Sequence, residues 1–352
     1  MKMRKTIVIR RCLMGLAALL ACAGIAQGYA VGPAVSLEKM TEEADIIFKG
    51  TALASQPVED EWFKPYPDFQ AGETRFTVVS LVKGELLGKT VMFRHYELSP
   101  QPHSHSFQPQ HYRFDAGKTY IVFAGKTELP GVFRQLWMNH TIKSDQGVLR
   151  CGNDKPVAAG TVKDVLCSEL AAMLASAEED DVVYAVGQLD DMSGGRGRFG
   201  ALSDFERKDV LAAVHGLMAH GDSKVAQAAI GAVGSHNPYM SEERTLHWLA
   251  TVGSGTVPGM GKMDAKVKNL GGELYWQDLV AVADSAAPAE TRAMAIRALG
   301  LVCEPMLKEP IERWLADASP EIRASATLLL ADFPDPDTFA PVSYTHLRAH
   351  ET

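Results

Sequence analysis

The phrase Glu290-Thr-Arg-Ala-Met-Ala-Ile-Arg-Ala-Leu-Gly300 predicts a helical repeat fold for the C-terminal half of this chain. It is echoed by Glu321-Ile-Arg-Ala-Ser-Ala-Thr-Leu-Leu-Leu-Ala331, and a fainter copy is Lys224-Val-Ala-Gln-Ala-Ala-Ile-Gly-Ala-Val-Gly234. Helical phrases that recur roughly every 30–45 residues are typical of stacked helix pairs, because one pair cannot bury its apolar face alone. Such arrays bind other molecules more often than they transform them, so the pattern favours a binding protein.

The turn between two predicted helices reads Asp317-Ala-Ser-Pro-Glu-Ile-Arg-Ala-Ser-Ala326. Pro320 suits the first position of a helix, where its missing N–H costs nothing, and Glu321 favours the positive helix start. The phrase closely resembles the inter-helix segment of HEAT repeats. That resemblance implies an Asp–Arg ladder along the stack. Within this ladder, we expect Asp317 to pair with Arg323. The ladder residues predicted in this way are Asp317, Arg323, Asp284 and Arg292.

From about Thr161 the apolar residues recur with the period of helices. We predict a linker and first helix at residues 151–177 and HEAT-like repeats at residues 178–340, forming an α-solenoid. A glycine- and lysine-rich loop is inserted at residues 253–272. The predicted helices are Val162 to Leu174, Asp180 to Leu189, Asp204 to Met218, Lys224 to Val233, Glu242 to Ala250, Leu274 to Ala283, Ala289 to Leu301, Met306 to Ala316 and Glu321 to Ala331.

Residues 31–150 are predicted to form a separate, strand-rich domain. A short helix from Leu37 to Glu43 precedes β-branched and aromatic runs separated by turn residues. Short strands of this number indicate a small barrel or sandwich. The predicted strands are 45–50, 74–82, 90–94, 118–123, 132–137 and 147–150.

Three motifs in this domain resemble the bacterial TIMP-like (netrin-like) domains. They are Ala44-Asp45-Ile-Ile-Phe-Lys-Gly50, Val82-Lys83-Gly84 and Gly117-Lys-Thr-Tyr-Ile-Val122. The resemblance implies a small OB-like β-barrel and covers roughly a third of the chain, but it marks a fold and not an activity. The expected fold class is therefore multi-domain: an OB-like β-barrel followed by an all-α solenoid.

Residues 1–30 have the order of a secretory signal peptide: a basic stretch ending at Arg11, an apolar run, then small residues. We expect export to the periplasm or cell envelope of a bacterium. Two processing routes remain open, because small residues near Gly28 and Ala30 suit a conventional signal peptidase, whereas Leu19-Leu-Ala-Cys22 resembles a lipobox. A lipid on Cys22 would be the chain's one expected membrane attachment.

The 352-residue chain carries a net charge of −8, and its leader holds basic residues without an acidic one. The mature protein is therefore still more acidic, which disfavours nucleic acid as a partner.

The C-terminal tail does not resemble the rest of the chain. Residues 342–352 resemble the translation of a sequencing adaptor, so we exclude residues 341–352 from the fold and expect the repeat array to be truncated.

Cysteines and histidines supply the remaining candidate sites. In an oxidising compartment Cys151 and Cys167, which are close in sequence, are candidates for a disulfide, and Cys303 is expected to be a buried thiol.

A group of histidines is the alternative candidate for a metal site, and zinc needs three or four converging ligands. Prolines place the central histidines in a long loop, so we expect solvated side chains there and no resident metal. The residues of the alternative metal site are His95, His103, His105 and His111.

We find no sequence motif for a catalytic nucleophile or a cofactor, so we nominate no catalytic residue. The hypothesis is an exported, non-catalytic scaffold or adaptor that binds a protein partner. Two alternatives stay open: a metal-binding protein or metalloenzyme that uses the histidine loop, and a protease inhibitor that acts through the OB-like domain.

Overall fold

The computed structural model describes residues 34–64, 66, 68–99, 109–138, 145–193, 204–234, 270–300 and 307–330. The chain divides into two compact units. A strand-rich unit contains Ala44–Lys118 and Val122–Leu149, and a helical unit contains Ala34–Glu43, Thr119–Ile121 and the chain from Arg150 onward. The predicted leader, the helix at 242–250, the inserted loop, Cys303 and the tail lie outside the described residues.

The strand-rich unit is built on one sheet with the hydrogen-bonded order β1-β2-β3-β5-β4-β6, and β1 also pairs with β4. The pairing therefore returns to its first strand. Most neighbours are antiparallel, whereas β3 and β5 are parallel. The register between β1 and β2 shifts at three places, and such irregularities bend a strand pair. The strands are β1 Ile46–Pro57, β2 Phe69–Lys83, β3 Thr90–Leu98, β4 Thr119–Lys126, β5 Val132–Arg134 and β6 Val148–Cys151.

Two of the sequence motifs in this unit contact one another. The Lys83 ammonium donates to the carbonyl of Ala44 at 2.6 Å. Gly84 has φ +88°, and a Cβ there would collide with the carbonyl oxygen of Asp45. Only glycine suits that conformation and that close approach. The Asp45 carboxylate also accepts from the amide of Lys126 at 2.7 Å. The motifs thus fasten the start of β1 to the end of β2.

Aromatic side chains fill the interior of the strand-rich unit. Phe76 packs edge to face against Phe48 and Phe114, with ring centroids 5.5 and 5.1 Å apart. Phe93 meets Phe114 in the same manner at 5.8 Å. Edge-to-face contacts of this kind are the favoured geometry of aromatic pairs, and they add to the free energy gained by burying the rings.

The helical unit consists of paired helices. The first helix of each pair packs on the second: α2 on α3, α4 and its following 3-10 turn on α5, α6 on α7, and α8 on α9. In the described chain no helix is both long and apolar enough to cross a membrane. The helices are α1 Leu37–Glu43, α2 Val162–Leu174, α3 Glu179–Met192, α4 Arg207–Val214, α5 Ser223–Val233, α6 Leu270–Ala283, α7 Ala289–Leu299, α8 Lys308–Leu315 and α9 Pro320–Leu330, with the 3-10 turn at His215–Ala219.

The second helices of the pairs form a row, because α3 packs on α5, α5 on α7, and α7 on α9. A second helix between two neighbours needs small side chains, and the buried faces of α5 and α7 are rich in alanine. Arg207 adds polar contacts that bridge α3 and α5. Its guanidinium donates to the Asp190 carboxylate of α3 at 2.6 Å and to the carbonyl of Ala232 in α5 at 2.5 Å.

Helix α1 is placed differently from the prediction. The sequence assigned it to the strand-rich domain, whereas the contacts group it with the helical unit. The amide of Leu37 at its start donates to the Asp204 carboxylate at 2.9 Å, and Leu37 and Met40 are buried. The chain on either side of the strands therefore contributes to the helical unit.

The contact between α5 and α7 yields a prediction. Gly234 caps α5 with ordinary backbone angles, but a Cβ there would lie 2.6 Å from the Cα of Ala298. Gly234→Ala must push the two second helices apart, and we expect it to destabilise the helical unit by about 1–3 kcal/mol, the usual cost of overpacking.

Gly187→Ala in α3 is the matched control. A Cβ at Gly187 meets nothing within 4 Å, so the higher helix propensity of alanine should stabilise the unit by about 0.5–1 kcal/mol. Urea unfolding followed by circular dichroism at 222 nm measures both variants. Equal effects of the two substitutions would contradict the close packing described for α5 and α7.

Candidate functional site

The candidate site lies along the turns that join the helices of successive pairs. We call this the turn edge: the α4/α5 turn at 220–222, the α6/α7 turn at 284–288 and the α8/α9 turn at 316–319. Asp222 caps α5, its carboxylate accepting from the amides of Lys224 and Val225 at 2.8 and 3.1 Å. Short polar side chains at these turns satisfy helix ends and also reach neighbouring pairs.

Asp284 links the third pair to the fourth. One carboxylate oxygen accepts from the indole N–H of Trp314 at 2.7 Å, and the other accepts from the guanidinium of Arg313 at 2.6 Å. The Trp314 ring is buried, so its N–H needs an acceptor inside the protein. Asp284 supplies that acceptor and holds α8 against the preceding turn.

Arg292 makes the second link between these pairs. Its Nε donates to the carbonyl of Ala283 at the end of α6, at 2.7 Å, and its Nη2 donates to the Asp317 carboxylate at 2.8 Å. Asp317 also accepts from the amide of Ser319 at 2.8 Å. The hydrogen bond from the Ser319 amide, followed by the bond from Arg292, lowers the pKa of Asp317 below its ordinary value.

The expected pair of Asp317 with Arg323 is not a contact between their charged groups. The Arg323 guanidinium donates instead to the main-chain carbonyls of Asp317 and Ala318, both at 2.8 Å. The Asp317 carboxylate is bound by Arg292 of the preceding pair. The ladder therefore runs from one pair to the next, and the prediction was wrong about which arginine reaches the carboxylate.

A cavity of about 920 Å³ opens between the α4/α5 turn and the α6/α7 turn. Its wall mixes small apolar groups with carboxylates, hydroxyls and imidazoles. His215 stacks on Tyr275 with ring centroids 4.4 Å apart, and the Nδ1 atom of His220 accepts from the amide of Asp222 at 3.1 Å. The lining residues are His215, Gly216, Met218, Ala219, His220, Gly221, Asp222, Ser223, Ala226, Asp278, Ala281, Val282, Ser285, Ala286, Ala287, Pro288 and Thr291.

The sequence does not predict this cavity. Its polar residues are scattered over α4 to α7 and form no motif of fixed spacing. One signal was available: the faint repeat copy at 224–234 has Ala226 where the two stronger copies have Arg292 and Arg323. That difference marks the place where the cavity lies.

His95 belongs to the interior of the strand-rich unit. Its Nδ1 lies 3.0 Å from the carbonyl of Tyr96, which can only accept, so Nδ1 carries the proton. Its Nε2 then accepts from the Thr74 hydroxyl at 2.8 Å, and that hydroxyl pairs with Ser55 at 2.6 Å. With both ring nitrogens engaged, His95 has no lone pair for a metal.

The other proposed metal ligands do not gather around it. His111 hydrogen-bonds through Nδ1 with the carbonyl of Pro109 at 3.0 Å, and His103 and His105 lie outside the described residues. Among the described residues no three histidine, cysteine, aspartate or glutamate side chains are placed to hold a metal ion.

The predicted disulfide is not formed. Cys151, at the end of β6, is a buried thiol, and Cys167 is an exposed thiol on α2. Desolvation of the thiolate by the surrounding atoms raises the pKa of Cys167 above its ordinary value. The lipidation candidate Cys22 lies outside the described residues.

Comparison with known proteins identifies the repeat. Residues 277–346 match the family of HEAT repeats, so the C-terminal helical region is a HEAT-like repeat domain. No curated protein matches the chain.

Similar solved structures include three engineered proteins. A designed armadillo repeat protein in complex with the peptide (KR)4 is 15% identical over 49% of this chain and 70% of its own, with a TM-score of 0.30. A computationally designed armadillo repeat protein for modular peptide recognition is 17% identical over 47% and 63%, with a TM-score of 0.29. An engineered protein is 18% identical over 49% and 65%, with a TM-score of 0.28. The chain spans less than two thirds of the length of the second and third.

His95 generates a prediction about pH. Burial, the largest cause, lowers the pKa of His95 from 6.5 to about 4. The unfolded chain therefore takes up a proton between these values while the folded chain does not. The stability of the strand-rich unit should fall as the pH drops from 6.5 toward 4, by roughly 3 kcal/mol in all.

His95→Gln removes this titration and keeps a polar side chain in place. Hydrogen exchange of the amides of β3, measured by mass spectrometry between pH 7 and pH 5 and corrected for intrinsic rates, separates the two proteins. The native chain should lose protection as the pH falls, and His95→Gln should lose much less. The same loss in both would show that His95 is not the responsible group.

Proposed function

We propose that this chain is an exported, non-catalytic scaffold or adaptor of the bacterial periplasm or cell envelope, and that its HEAT-like solenoid binds a protein partner. The observation that carries the proposal is the continuous row of second helices, α3, α5, α7 and α9. A stack of this kind presents an extended surface built from equivalent positions on successive repeats.

The polar side chains of the turn edge hold the repeats together, which supports a role as a rigid scaffold. Asp284, Arg292 and Asp317 are held in hydrogen bonds that tie one helix pair to the next. A rigid frame of this kind lowers the entropy cost of binding, because the surface is formed before the partner arrives. The cavity lies between the α4/α5 turn of the second pair and the α6/α7 turn of the third pair.

The strand-rich unit is proposed to have the OB-like fold of TIMP-like domains. Support comes from the contact between its motif residues, Lys83 with Ala44 and Gly84 with Asp45, and from a strand pairing that returns to β1. Export is proposed on the order of residues in the leader. The hydrogen bonds of His95 weigh against the alternative metal site, and the inhibitor alternative remains a prediction.

Site-specific photocrosslinking in cells tests the scaffold. A photoreactive benzoylphenylalanine replaces Ala286, which is exposed on the α6/α7 turn, in the full chain. The proposal predicts a discrete adduct of higher mass after irradiation. The control position is Leu87, whose side chain is 98% exposed in the loop between β2 and β3.

An adduct from Ala286 but not from Leu87 supports docking at the helical unit. Equal adducts from both positions indicate indiscriminate collision, and the lack of any adduct from Ala286 contradicts the proposed function.

A further inference from the structure

Three second helices have the same length, so their positions can be compared one by one. Helices α5, α7 and α9 each contain 11 residues. The fourth residue is Ala226 in α5, Arg292 in α7 and Arg323 in α9. Two of the three helices therefore carry a guanidinium at a position where the third carries a methyl group.

The fourth-position arginines bind main-chain carbonyls of their own pair. Arg292 donates to the carbonyl of Ala283 at the end of its partner helix, and Arg323 donates to the carbonyls of Asp317 and Ala318 in its own turn. Arg292 also reaches across to the Asp317 carboxylate of the next turn. Arg292 therefore joins the end of α6 in its own pair to the α8/α9 turn of the next pair.

The fourth residue of α5, Ala226, lies at the cavity. The buried Ala226 lies in its wall together with Ala219 and the α4/α5 turn of its own pair, and with residues 285–288 of the α6/α7 turn. At the next contact, Arg292 reaches the corresponding segments, the end of α6 and the α8/α9 turn. The cavity thus occupies the space that an arginine fills one repeat later.

The charge of the wall suits a cation. Asp222 and Asp278 both line the cavity, and no lysine or arginine is present among its described lining residues. A bound cation would be attracted by the negative charge of aspartate carboxylates in this wall.

We propose that this cavity binds the guanidinium of an arginine side chain inserted by the protein partner, between the carboxylates of Asp222 and Asp278. The inference rests on the proposed function, since it names the group by which the partner docks. Arginine fits better than lysine, because its planar fork donates in several directions at once, as Arg292 does. The cavity is larger than one side chain, so residues flanking the arginine also enter it.

The first test uses the full chain and a defined probe. The probe is the peptide acetyl-Gly-Ser-Arg-Ser-Gly-amide, and its control is the same peptide with citrulline, a neutral isostere of arginine. Titration at physiological salt, followed by the NMR methyl signals of Ala226 and Val282, should show saturable shifts with the arginine peptide. The citrulline peptide should bind about tenfold more weakly, because it lacks the charge-assisted hydrogen bonds.

Two carboxylate variants separate the site from general attraction. Asp278→Asn removes a charge from the cavity wall and should weaken binding of the arginine peptide by about tenfold, again through loss of a charged acceptor. Asp209→Asn removes the same charge from an exposed position on α4 outside the lining, and should leave the affinity unchanged. Equal weakening by both variants, or equal binding of the two peptides, overturns the proposal.

A third variant fills the cavity with an arginine side chain of the protein itself. Ala226→Arg restores the side chain found at the fourth position of α7, so we expect a higher melting temperature and no binding of the peptide. Unimpaired peptide binding by a folded Ala226→Arg chain overturns the proposal. If that variant does not fold, the comparison of Asp278→Asn with Asp209→Asn decides.

The two proposals can fail separately. A photocrosslinked partner at Ala286 without any binding of the arginine peptide overturns the guanidinium site and leaves the scaffold intact. Binding of the peptide without a crosslinked partner overturns the proposed scaffold.

Discussion

The helical unit depends on close approach between consecutive second helices. A single pair leaves one face of its second helix uncovered, and the next pair must cover it. Between α5 and α7 the backbones approach closely enough that Gly234 has no room for a Cβ beside Ala298. Alanine-rich faces on both helices permit this approach along their length, and this packing makes the repeated phrase recognisable in the sequence.

Polar side chains at the turn edge then set which pair contacts which. Arg292 and Asp284 both reach forward to the fourth pair, to Asp317 and Trp314 respectively. Between the second and third pairs the arginine is replaced by Ala226, and the turns enclose a cavity instead. The helical contact persists there because α5 and α7 still pack directly, so the stack tolerates an opening that a partner can use.

The sequence predicted the elements well and the contacts between them less well. Helical period and the Pro320 start located α7 and α9, since both signals are local. The partner of Asp317 was wrong because the spacing to Arg323 cannot show that Arg292 reaches the carboxylate from another repeat. His95 appeared as a loop ligand only because its position in β3, facing aromatic rings, is invisible without the strand register. The cavity depends on an absent side chain, which a motif search does not detect.

Distances along the row of second helices test the stacked arrangement most directly. Lys224, Glu290 and Glu321 are exposed second residues of α5, α7 and α9. In a chain whose native cysteines are replaced by serine, spin labels are attached after Lys224→Cys with Glu290→Cys, or after Lys224→Cys with Glu321→Cys. Packed helices lie about 8–10 Å apart, so the second pair of labels should be separated by about twice the distance of the first. Electron paramagnetic resonance that finds equal separations would show that α9 folds back beside α5 and would contradict the row.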